Sequence, residues 1–188
     1  MFATKLLRSR FLSSKCRSLS MNLPQVDPLH VVVYPGSRVL QLNRPESGNI
    51  MTDSLLNTIK DRLTLYSDLH TVSCVLMTSS STEFFSKGLE TKYLDDSESR
   101  KQLISKANDV SMTLKSLEKE TISLVGGDID SCVFGVLATA KFRVGTETTM
   151  LRMNDLLEGR LPLGGGIAYH LAKTSGDGVA VRVHFTVV

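Results

Sequence analysis

Residues 84–90, FFSKGLE, place a glycine and an acid shortly after an apolar run, TVSCVLMT at 71–78. A glycine lets the backbone approach a ligand closely. The stretch is therefore suited either to holding a backbone N–H out to an oxygen atom or simply to turning from strand to helix. Cys16, Cys74 and Cys132 show no metal-ligand spacing. Cys132 has the chemistry of a nucleophile, but a buried core thiol is the simpler reading. Gly164-Gly165-Gly166 lacks the GxGxxG spacing of dinucleotide sites, and Lys173-Thr174 lacks the glycine that precedes them in a phosphate loop. A helix N-terminus that packs closely or faces a ligand accounts for the three glycines. His170, on the helix they open, reads as a surface or packing residue, and Asp155 as an acid at a turn or helix start.

These residues need elements to position them. LHVVVY (29–34) and RVLQL (38–42) flank Pro35-Gly36 and read as two strands around a turn. Thr52 can cap a helix that carries Asp53 in its first turn, with Leu55, Ile59, Leu63 and Tyr66 as its apolar stripe. Residues 71–78 suit a buried strand, and 84–90 follow as a loop. Leu103, Ala107, Val110, Leu114 and Leu117 make one face of a helix over 97–119. TISLV (121–125) is a further buried strand that turns out at Gly126-Gly127. A short buried helix at 131–140, strands at 141–145 and 148–153, and a last helix at 166–173 complete the pattern. Strands alternating with helices predict an α/β fold with parallel pairing. The end differs: VAVRVHFTV (179–187) alternates strictly, a strand pattern that is an aggregation hazard if unpaired.

The 188 residues, 41% apolar, predict one core-bearing domain and no membrane span. Residues 1–26 stand apart, with five basic residues, recurring serines and no acid. Phe2, Leu6, Leu7 and Phe11 fall at helical spacing among the charges. Such a leader reads as a mitochondrial transit peptide, which makes the matrix the expected location. Without it, 17 basic residues face 19 acidic ones, so the net charge of +3 belongs to the leader and does not argue for nucleic acid.

Three segments in order resemble the crotonase (enoyl-CoA hydratase/isomerase) superfamily: VLQLNRPESGNIMTDSLL, FFSKGLE and MNDLLEGRLPLGGG. They resemble that family's strand, LNRP turn and following helix, its F-(C/S)-A-G-(A/L)-D loop, and its later glycine-bearing segment. The resemblance implies a crotonase-like (ClpP/crotonase) spiral core of ββα units over residues 27–175. It implies neither the family's C-terminal helical trimerisation region nor a counterpart of the tail, 176–188. It implies acyl-CoA as ligand, no further cofactor, no metal, and a homo- or hetero-oligomer.

The resemblance also assigns roles. Leu89 falls on one backbone donor of the oxyanion hole and Cys132 on the second. Ser86, Lys87 and Gly88 belong to the ligand loop, with Lys87 a contact for CoA. Preorganised donors matter because charge develops on the thioester oxygen during reaction. Departures are visible too. The family's Gly-Gly-Gly stretch is Ser131-Cys132-Val133, its first catalytic glutamate falls on Gly135, and Glu46 stands where a basic residue often faces the CoA phosphates. The second glutamate position falls on Asp155. Asn154-Asp155 resembles the Asn-Glu pair of Δ3,Δ2-enoyl-CoA isomerases, which move a proton with one carboxylate. Three readings follow: a mitochondrial enoyl-CoA isomerase of fatty-acid oxidation, or a related hydrolase; a catalytically inactive subunit or assembly factor of a mitochondrial complex; or a chain shortened by a change of reading frame or exon use.

Overall fold

The computed structural model describes residues 27–90, 96–153, 164–167, 169–170 and 173. The expected leader, Asn154-Asp155 and the 176–188 tail lie outside the described residues.

The described residues open with an antiparallel hairpin, β1 (Leu29–Tyr34) and β2 (Gly36–Leu42), closed by Pro35. Helix α1 (Asp53–Asp68) follows and packs Leu55, Leu56, Ile59, Leu63 and Tyr66 inward. Thr52 caps it, its hydroxyl accepting the Leu55 N–H at 3.2 Å. Replacing Thr52 by Ala should lower stability by about 1 kcal/mol, read as a shift in urea midpoint, while Ser should change it little.

β3 (Val72–Ser79) then lies parallel to β2. Helix α2 (Ser97–Ser116) returns the chain to β5 (Glu120–Val125), parallel to β3, and β7 (Phe142–Gly145) adds a further parallel strand. The sheet order is β1-β2-β3-β5-β7. Parallel neighbours need crossovers of a dozen or more residues; α1 supplies the one from β2 to β3, α2 the one from β3 to β5, and residues 126–141 the one from β5 to β7. Both helices bury one stripe, α2 through Leu103, Ala107, Val110 and Leu114. On β5, Thr121, Ser123 and Val125 face the core while Leu124 is exposed. Leu124 pairs with Val144, and Ile122 with Phe142, so the outward face of this edge is apolar.

A second, three-stranded parallel sheet consists of β4 (Phe84–Ser86), β6 (Asp128–Asp130) and β8 (Met150–Arg152), with β6 in the middle. Helix α3 (Ser131–Leu137) leaves β6 directly and buries all but Phe134. This sheet corrects the sequence reading. Residues 84–86 are a strand rather than part of a loop, and β6 was not foreseen. The final strands are shorter than expected, and α2 and α3 end at Ser116 and Leu137. Each strand of this sheet has three residues, too few for periodicity to register. Among the described residues, no helix is long and apolar enough to cross a membrane.

Candidate functional site

The ends of β4 and β6 lie side by side, so the chain leaving β4 (87–90) and the start of α3 meet. Asn49 holds the first of these in place. It is fully buried, accepts the Arg44 N–H at 2.7 Å, and donates to Ser79 Oγ at 2.8 Å and to the Phe85 carbonyl at 3.1 Å. Ser86 Oγ donates to the Asn49 carbonyl at 2.7 Å and accepts the Gly88 N–H at 3.3 Å. Backbone bonds finish the clamp: Lys87 N–H to the Gly48 carbonyl, Met51 N–H to Gly88, and Glu90 N–H to Met51. Leu89 sits between the last two, and among the described residues no acceptor meets its N–H. Gly88 takes a φ of 116°, which side-chain-bearing residues rarely adopt.

Ser86, at the end of β4, and Lys87 and Gly88 after it therefore shape the turn that leads to Leu89. The Lys87 stem packs against Gly48, and its ammonium lies 4.8 Å from the Phe84 ring centroid, a cation–π distance.

The start of α3 is arranged differently. The Cys132 N–H donates to Asp130 Oδ1 at 3.0 Å, so Asp130 caps the helix from within. The same carboxylate lies against Gly88, where a methyl group would come 3.0 Å from Asp130 Cγ and 3.3 Å from each oxygen. Asp130 is only 5% exposed. The fold thus brings Leu89 and Cys132 to one place, with a carboxylate between the two segments. The Cys132 thiol fills further space, since a methyl on Gly164 would meet Sγ at 2.6 Å and lies 3.9 Å from Leu89 Cδ1. Ser131 Oγ is buried and meets no partner among the described residues.

Gly135, at the first glutamate position, lies under the turn at 164–166. A Cβ there would come 2.6 Å from the Gly165 carbonyl oxygen. A small apolar cavity borders Leu89, Met51, Val110 and Val133, with room for about one water molecule.

Of the other reactive groups, the Cys74 thiol has its pKa pushed up by burial and then by Glu120, which makes it a poor nucleophile. The His170 imidazole is pushed below its ordinary pKa, first by burial and then by the charges of Arg143, Lys115 and Lys173. Among the described residues, no group of three or more His, Cys, Asp or Glu could hold a metal ion.

The sequence reading did not single out Asp130 or Asn49. Asp130 carried a usable signal, an acid directly before a buried helical run.

The profile of the enoyl-CoA hydratase/isomerase family matches residues 37–181. The chain belongs to that family. No curated protein matches the sequence. Solved structures place the fold among crotonase-like proteins. An enoyl-CoA hydratase from Bacillus anthracis superposes with a TM-score of 0.79 at 20% identity, over 85% of this chain and 63% of that one. One from Bacillus halodurans gives 0.76 at 17%, over 83% and 64%. A putative enoyl-CoA hydratase from Streptomyces coelicolor gives 0.74 at 20%, over 93% and 65%. The chain thus spans a little under two thirds of the length of these relatives.

Proposed function

We propose that this family member is built around an acyl-CoA thioester recess but does not turn thioesters over, and serves as a non-catalytic crotonase-like subunit or assembly factor in the mitochondrion. One observation carries the reading: the Cys132 N–H, the second donor of a two-donor hole, is bonded to Asp130 Oδ1. Loss of one oxyanion donor costs on the order of 10²–10³ in rate. The first glutamate position, Gly135, has no room for a side chain. An oligomer goes with this reading, because Phe142 and Val144 lie exposed beside Leu124. The basic, acid-free residues 1–26 support the mitochondrial location.

The test is a pair of assays on the full chain, hydration of a 2-enoyl-CoA and isomerisation of a 3-enoyl-CoA. Neither should exceed the uncatalysed rate; turnover at ordinary enzymatic rates, about 1 s⁻¹ or more, would overturn the reading.

The clamped Leu89 N–H favours a second reading, Δ3,Δ2-enoyl-CoA isomerisation in fatty-acid oxidation with Asp155 as base. If turnover is found, Asp155→Ala should abolish it, and retained activity would remove that assignment.

A further inference from the structure

We infer that Asp130 determines what the recess accepts: its carboxylate is a built-in occupant of the place that a thioester oxygen would take. The inference rests on the proposed thioester recess and names the residue that closes it.

The geometry supports this from two sides. Asp130 Oδ1 takes the Cys132 N–H at 3.0 Å. Its Cγ lies so close to Gly88 that a methyl there would be 3.0 Å away. One side chain therefore touches the segment carrying each donor. An incoming carbonyl oxygen would have to displace the carboxylate from the Cys132 N–H. An enolate would also meet a like charge at short range in a buried setting, where screening is weak. The loop is held against Asp130, because Gly88 is bonded to Ser86 Oγ and to the Met51 N–H. The recess is thus satisfied from within, and Leu89 is left with a donor that has no partner donor beside it.

The inference has a direct consequence. Asp130→Ala removes the occupant and its bond to the Cys132 N–H. Asp130→Asn keeps the size and the capping oxygen but removes the charge. The experiment titrates butanoyl-CoA, a saturated thioester, into the full native chain and both variants by calorimetry. Free CoA serves as the control, and thermal melts confirm folding.

The native chain should show no binding at millimolar ligand. Asp130→Ala should bind butanoyl-CoA at least about tenfold more tightly than the native chain, with Asp130→Asn between them. Free CoA should not distinguish the three. If Asp130→Ala fails to fold, the near-isosteric Asp130→Asn decides by the same comparison. A folded variant that binds no better than the native chain would overturn the inference. So would micromolar binding by the native chain, since the recess would then be open. Both of these results leave the absence of turnover standing, which the assays above test separately.

Discussion

Replacing Gly135 by Glu should unfold the protein rather than restore a hydratase. The sequence resemblance aligns this position with a catalytic acid of the family, so the substitution looks like a repair. The structure forbids it, because a Cβ at 135 would lie 2.6 Å from the Gly165 carbonyl oxygen, 2.8 Å from its carbon and 2.9 Å from the Ile167 nitrogen. Those are backbone atoms, which cannot swing aside as a side chain can. Gly165 is itself packed tightly, since a Cβ there would come 2.2 Å from the Cys132 carbonyl oxygen. Overpacking alone costs roughly 1–3 kcal/mol, and burying a carboxylate without a partner adds several more. A total of about 5 kcal/mol or more is comparable with the whole stability of a small domain. Circular dichroism and a urea titration should show a largely unfolded chain. Gly135→Ala, which adds only the clashing methyl, should fold with a lowered midpoint. A folded Gly135→Glu protein with native stability would show that the contact between α3 and the 164–166 turn gives way.

That contact marks the boundary of what the sequence could reveal. The helices were legible because their stripes are long: Leu55, Ile59, Leu63 and Tyr66 on α1, and Leu103 through Leu114 on α2, face the core as their spacing implies. Strands β1, β2, β3 and β5 of the large sheet were legible because each carries apolar residues bounded by turn residues. The turn at Leu89 was legible because Gly88 permits a backbone geometry that few residues share. The small sheet was not, because its three-residue strands hold their place through pairing with distant segments, β4 with β6 and β6 with β8. The contact of Asp130 with Gly88 was not legible for the same reason. Asp130 is 42 residues from Gly88 in the chain, and only the parallel alignment of β4 with β6 brings them into contact. A motif alignment shows which positions should donate; it does not show that a neighbouring carboxylate already receives.

Asn49→Ala should be the most damaging single substitution among the polar residues of the site, costing about 4 kcal/mol. Its side chain makes three bonds from a fully buried position. Truncation leaves the Arg44 N–H, the Phe85 carbonyl and the Ser79 hydroxyl short of a partner, and each buried group left unsatisfied costs about 1–3 kcal/mol. The Ser79 hydroxyl keeps its bonds to the Phe84 carbonyl and the Ser81 N–H, which limits its share. The backbone adds to the penalty. Asn49 has a φ of 50°, a region that Asn tolerates and Ala enters at a cost of roughly 1–2 kcal/mol. The two contributions separate in a small series. Asn49→Gly removes the side-chain bonds but relieves the backbone, so in a urea titration it should be more stable than Asn49→Ala by about 1 kcal/mol. Asn49→Asp can still accept the Arg44 N–H but can no longer donate, and it sets a carboxylate against the Phe85 carbonyl, so it should fare no better than Gly. The loop that presents Leu89 hangs from this residue through Phe85 and Ser86. Amide exchange at 86–90 should therefore quicken in all three variants. A cost below about 1 kcal/mol for Asn49→Ala would mean that water replaces the network, and that the loop is held by its backbone bonds to Gly48 and Met51 alone.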